Sequence, residues 1–207
     1  MMVRGLNTML VTDTDFGEVS LRKRLQKSTH DVHEQLNQWP LVSILITGAA
    51  NVEHYAGFLR HTFNYRSACE AALSAFKSEL QDIVDLHKYE YAPLLRLDLN
   101  CFVQSDASEF LGDATTANFA YANSYQALGG LYVLAGSSNG NRQIFKAMSS
   151  QIDDEKWPCQ YLSRSTDAQE WRSFCECLEE FKDSGEPEDE IVQGARNTFA
   201  AIAEIIL

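Results

Sequence analysis

The chain has little proline: four residues in 207, at Pro40, Pro93, Pro158 and Pro187. Average usage is about 5%, so few positions break a helix and long uninterrupted helices are expected. No run of about 18 apolar residues occurs, which argues against a transmembrane helix. Positive charge is scarce, with 17 Lys and Arg against 29 Asp and Glu and a formal net charge of −12. Binding a phosphate backbone needs a basic surface, so nucleic acid and anionic membranes are poor partners for this chain. The first 20 residues lack the apolar core and small-residue cleavage site of a secretion signal. The five cysteines, Cys69, Cys101, Cys159, Cys175 and Cys177, form no C-x-x-C pair. Their odd number fits reduced structural thiols and a cytoplasmic location. Cys175 and Cys177, two apart on a predicted helix, point about 200° apart and do not share one metal.

What is present is the composition of an ordinary globular protein, 45% hydrophobic and 22% charged. At roughly 100–200 residues per domain, one domain is expected. Residues 1–19 read as a flexible N-terminal arm, and 20–207 as a helical domain. Leu21, Leu25, Val32 and Leu36 mark a helical stripe that Pro40 ends. After a loop at Thr47-Gly48-Ala49-Ala50, Asn51 is a plausible N-cap. Tyr55, Phe58, Leu59, Thr62, Phe63 and Arg66 then repeat at three and four, continuing through Val84. This predicts one long helix over about 53–85, or two abutting ones. A shorter piece covers 89–103 after Pro93. Thr115-Thr116-Ala117-Asn118 introduces a helix over 118–150, which Trp157-Pro158 breaks. Ser165 to Lys182 is amphipathic and stops at Ser184-Gly185. Pro187, followed by acidic residues, opens the last helix. No period-two pattern persists, so the fold class is all-α.

Three features rise above this background. His33, in Thr29-His30-Asp31-Val32-His33-Glu34, sits at the margin of the buried stripe, where an imidazole faces a cleft between helices. A neutral imidazole there suits a metal or haem iron; the alternative is a hydrogen-bonded, half-buried histidine. His30 is three residues away, but no Glu-x-x-His accompanies the pair to build a di-iron bundle. The second feature is Gly129-Gly130-Leu131-Tyr132-Val133-Leu134-Ala135-Gly136-Ser137-Ser138-Asn139-Gly140-Asn141. Gly129, Gly136 and Gly140 fall within roughly 60° on a helical wheel. Each costs about 1 kcal/mol relative to Ala, so something approaches that face closely, either a ligand or a neighbouring helix. The third is the basic cluster Arg22, Lys23, Arg24 and Lys27, which opposes the dipole of the helix carrying His33. An external anion would offset that cost; a solvated helix end is the other reading.

Together these stretches resemble one family. Leu21-Arg22, Leu25, Ser28-Thr29, His33 and Leu36 look like the proximal-helix motif of the haem oxygenases. Leu128-Gly129-Gly130-Leu131-Tyr132-Val133-Leu134-Ala135-Gly136-Ser137-Ser138-Asn139-Gly140 looks like the bacterial form of their distal helix. Tyr161-Leu162-Ser163, Trp171-Arg172 and the closing Ala195-Arg196-Asn197-Thr198-Phe199 share the family's character. The likeness spans about 20–207 and is nearest to the haem oxygenases that accompany bacterial phytochromes.

The resemblance implies a single compact helical domain with haem between a proximal and a distal helix. His33 becomes the axial ligand to haem iron. Gly136, Ser137 and Gly140 become the distal catalytic segment, with Ser137 helping to hold water. Lys23, Lys27 and Arg172 are candidate partners for the haem propionates. The implied reaction uses dioxygen and external electrons to open haem to biliverdin, carbon monoxide and ferrous iron. A reductase or ferredoxin would supply the electrons, and a phytochrome is a candidate recipient of the biliverdin. The chain departs from the family pattern at Asn37, where a carboxylate often follows the axial histidine by four residues. Asn141 replaces a second glycine, Ala135 a glutamate, and Gln26 stands where a cation is expected. These departures leave two alternatives: a haem carrier or sensor without turnover, or a haem-free member of the same helical superfamily.

Overall fold

The computed structural model describes residues 20–103, 118–149, 152, 157–182 and 187–206. All regular structure among them is helical. The proposed arm at 1–19, the predicted start at Thr115-Thr116-Ala117 and the stop at Ser184-Gly185 lie outside the described residues.

Helix α1 (Leu21–Asn37) buries Leu21, Leu25 and Thr29, and the Ser20 side chain accepts the Lys23 N–H as its N-cap. No acidic residue occupies its own first turn. Acid comes from elsewhere: Glu179 accepts the Arg22 N–H, while Glu188 and Asp189 accept from the Arg24 guanidinium. The expected external anion is therefore replaced, at Arg22 and Arg24, by the protein's own carboxylates. Pro40 does not merely end α1. It starts α2 (Pro40–Ile46), because a missing N–H costs nothing in a first turn.

Helix α3 (Val52–Ser74) opens with a capping box in which Asn51 and His54 exchange side-chain-to-backbone bonds. It stops at Ala75, short of the predicted 85; α4 (Lys77–Leu80) and a 3-10 turn at Leu86–Tyr89 follow. Between α3 and α4, the Phe76 ring stands edge-on to Tyr121, ring centres 6.4 Å apart at 73°. After α5 (Ala92–Val103) comes the central helix α6 (Ser124–Met148), N-capped by Asn123 rather than begun near 118. The short α7 (Gln160–Arg164) is absent from the sequence reading. Its first two N–H groups, Gln160 and Tyr161, are accepted by the buried Asp98 carboxylate of α5. α8 (Ala168–Lys182) and α9 (Glu188–Ile206) complete the order.

Helix α6 runs through the middle, packing on α9, α8, α3, α2 and α7. Where it crosses α9 the two backbones touch. A Cβ on Gly129 would meet the Ile191 carbonyl oxygen at 2.0 Å, and one on Gly194 would meet the Gln126 carbonyl oxygen at 2.0 Å. Two apolar clusters form around α6. One joins Leu21, Leu25, Leu131, Leu134, Phe174 and Phe199; the other joins Trp39, Leu45, Tyr55, Leu59, Ile144 and Met148. On α6 the first ends at Ala135 and the second begins at Ile144. The interval between them is polar or glycine throughout, and it holds Gly136 and Gly140.

Candidate haem site

His33 lies in the last turns of α1 with 55% of its side chain exposed. It is thus more open than a residue at the margin of a buried stripe. Phe199 of α9 stands edge-on to the imidazole, ring centres 6.0 Å apart at 89°. Asn37 Nδ2 is 3.3 Å from His33 Nδ1 and also donates to Glu34, whose carboxylate is 3.8 Å from Nδ1. Polar groups of α1 itself therefore face Nδ1, and no described residue bonds Nε2. Ligation of a metal through Nε2 needs the ring proton on Nδ1 with an acceptor beside it. Glu34 Oε1 is on that side, as is the Asn37 amide, which offers its oxygen after a half-turn about its last torsion.

The glycine stripe divides into three environments. Gly129 is covered by the backbone of α9, as the helix-packing alternative expects. A Cβ on Gly136 would lie 3.6 Å from the Trp171 indole, an ordinary contact. At Gly140 nothing lies within 4 Å. The helix face that α9 closes at its N-terminal end is thus open about three turns further on, at Gly140.

Ser137, expected to face the distal side and hold water, is engaged inward. Its hydroxyl donates to the Leu134 carbonyl at 2.7 Å and accepts from Arg66 Nη1 at 3.2 Å. Arg66 of α3 is wholly buried, 0% exposed. It also donates to Glu70 at 2.9 Å, to the Tyr89 carbonyl at 2.8 Å and to the Leu134 carbonyl at 3.3 Å. Its guanidinium lies over the Tyr91 ring, 4.7 Å from the centroid. Burial alone would lower the pKa of Arg66, but Tyr161 and Glu70 outweigh it and hold the group charged.

The departures from the family pattern acquire physical roles. Asn141 points away from the open glycine face and donates to Tyr161 at 2.8 Å and to Ser165 at 3.0 Å, tying α6 to α7. Ala135 is buried in the first cluster, and Gln26 is exposed. Of the candidate propionate partners, Lys23 and Lys27 are exposed on α1. Arg172 is exposed on α8 and donates to Gln169 at 2.8 Å. No described contact joins these three cations to one another, or His33 to Gly136, Ser137 or Gly140. Sequence reading missed Phe199 and Arg66 as site residues. The signal for Arg66 was its position: a charged residue on the apolar stripe of α3 must be buried or break the stripe.

The described residues thus form an all-α fold with His33 on α1 and an open glycine face on α6. The family model described as "Heme oxygenase" matches residues 19–207, and the chain belongs to that family. No curated protein sequence matches it. Among solved structures it is similar to the NO- and CO-bound haem oxygenase of Neisseria meningitidis. That match has 22% identity over 91% of each chain and a TM-score of 0.69. It is also similar to haem oxygenase 2 of Chlamydomonas reinhardtii without haem, at 19% identity and a TM-score of 0.68, over 91% of this chain and 96% of that one. A third is haem oxygenase-1 of the cyanobacterium Synechocystis in complex with haem, at 15% identity over 91% of each chain and a TM-score of 0.66. Among the described residues no helix is long and apolar enough to cross a membrane.

Proposed function

We propose that the chain opens haem to biliverdin, carbon monoxide and ferrous iron, with dioxygen as oxidant and electrons from an external reductase or ferredoxin. The observation that carries this reading is that the chain has both His33 on α1, with its Nδ1 side engaged and no described partner at Nε2, and an open α6 face at Gly140. Haem, when bound, supplies the iron that activates dioxygen and the ring that is oxidised.

The chain's own residues do the rest. His33 would hold the haem iron through Nε2, with Asn37 and Glu34 steadying the ring at Nδ1. Phe199 restricts rotation of that ring by its edge contact. Gly136 and Gly140 remove side chains from the distal face, so that a planar ligand approaches the backbone of α6. Lys23, Lys27 and Arg172, all solvent-facing, would be the partners of the propionates. A cytoplasmic site of action and delivery of the biliverdin to a phytochrome complete the proposal.

The test is a haem titration followed by turnover. The unaltered protein gives a Soret band that His33→Ala weakens or abolishes. Ascorbate or a ferredoxin system in air then converts that band to biliverdin absorption. A protein without a Soret band, or a complex whose haem survives electron supply, sinks the reading.

A further inference from the structure

Arg66 is the most heavily bonded side chain of the described core, yet nothing in the proposed chemistry uses it. A buried guanidinium is costly unless all its donors are met. Four of its five N–H donors go to Glu70, the Tyr89 carbonyl, and two groups of α6, Ser137 Oγ and the Leu134 carbonyl. In a regular helix the Leu134 carbonyl accepts the Ser138 N–H. On this turn the Ser137 hydroxyl and Arg66 share the same oxygen. The turn so gripped leads directly from Gly136 toward Gly140, where intrinsic helix propensity is weakest.

The bonds also fix the direction of the Ser137 hydroxyl. Its single hydrogen goes to Leu134, and one lone pair receives Arg66 Nη1. What is left for any other group is one lone pair. With its hydrogen given to Leu134, Ser137 can accept a hydrogen bond from a further group but has none left to donate to it.

We propose that Arg66 is a positioning residue for the distal segment. Through Ser137 and the Leu134 carbonyl it holds the 134–140 turn of α6 in register and leaves the Ser137 hydroxyl, already donating to Leu134, as an acceptor toward any further group. The statement about the turn concerns the protein without haem; the statement about the acceptor rests on the haem reading above.

The experiment uses the full chain with Ser137→Ala, Arg66→Lys and Arg66→Met. Amide hydrogen exchange is followed in peptides covering 134–142 of the haem-free protein. Alanine is the better helix former, so propensity alone predicts slower exchange in Ser137→Ala. The expected result is the reverse, faster exchange by up to about tenfold, the effect on local opening of losing one hydrogen bond. Arg66→Met gives the same acceleration and Arg66→Lys an intermediate one, since an ammonium meets only part of the donor set. Should Arg66→Met fail to fold, Ser137→Ala, which removes one oxygen, decides alone. Exchange in Ser137→Ala as slow as in the unaltered chain overturns the role in holding the turn.

The acceptor claim is read in the ferric haem complex with fluoride as the probe, because fluoride bound at iron is stabilised by hydrogen-bond donors facing it. Fluoride affinity that is undiminished in Ser137→Ala agrees with an acceptor. A fall of about tenfold, the loss of one donated bond, overturns it. If the unaltered chain binds no haem, the proposed function fails while the exchange result still decides the role of Arg66.

Discussion

Asn37 stands one helical turn beyond His33 on α1, with its side-chain nitrogen 3.3 Å from the imidazole Nδ1. An amide in this place orients the ring but withdraws little of its proton. Asn37→Asp therefore makes the imidazole a stronger donor to iron and favours the ferric state. The midpoint potential of bound haem is expected to fall, by about 59 mV for each tenfold change in a one-electron couple. Spectroelectrochemical titration of the two complexes measures this. An unchanged potential would mean that Asn37 does not act on the ligand.

The three glycines of α6 are expected to respond differently to alanine. Gly129→Ala drives a methyl into the Ile191 carbonyl of α9 and lowers the melting temperature. Gly140→Ala meets nothing within 4 Å and removes a helix-interior glycine, so the haem-free protein gains about 1 kcal/mol. The same methyl occupies the face proposed for haem, and affinity in a Soret titration falls. A Gly140→Ala protein that gains stability and binds haem unchanged would place the ligand elsewhere.

Two arginines test how much burial decides the worth of an ion pair. Arg24 joins α1 to Glu188 and Asp189 of α9 with 39% of its side chain exposed. Arg24→Ala should cost under about 1 kcal/mol. Arg66→Met leaves the buried Glu70 carboxylate without its counter-charge and the Tyr89 carbonyl without its Arg66 donor, and a loss of about 3–5 kcal/mol is expected. Urea midpoints at constant slope compare the two. Equal losses would contradict the burial argument.

Thiol labelling reports on the same burial through pH. Burial pushes the Cys69 thiol up to about 12 and the Cys175 thiol up to about 11, while Cys101 is exposed. Only the thiolate reacts, so a raised value means less reactive thiol at any pH below it. Cys101 should be alkylated first at pH 8. Cys175 should speed up about tenfold per pH unit below its own value, and Cys69 should react only as fast as the protein opens. Peptide mass mapping over a pH series reads all three. Cys69 labelling as rapid as Cys101 would refute its placement in the core.

The helices that were legible in the sequence are those whose signals lie within themselves. Leu21 and Leu25 gave the buried side of α1, and Pro187 with its acidic neighbours marked the start of α9. The short α2, α4 and α7 were not legible, because helices of one or two turns form only against partners. α7, for example, takes its N-terminal acceptor from Asp98, over 60 residues earlier. In the sequence Pro40 looks like an end, because a breaker and an N1 residue look alike without the next helix in view. At the site, His33 and the glycine face were visible as pattern. The direction of Ser137, the edge contact of Phe199 and the bonds of Asn141 to α7 were not. A helical wheel ranks the faces of one helix and carries no record of which neighbour will cover each face.

The crossing of α6 and α9 at Gly129 and Gly194 has a mechanical consequence. With no side chains between the two backbones, neither helix can slide or rise there, and the crossing acts as a fulcrum. Gly140 lies 11 residues along α6 from Gly129, a lever arm of about 16 Å at the helical rise. A tilt of about 5° about the fulcrum displaces that end by about 1.4 Å on the same arm, comparable to a large fraction of a van der Waals contact. Substitutions that re-seat the crossing therefore alter the width of the opening at Gly140 without touching a residue that faces it.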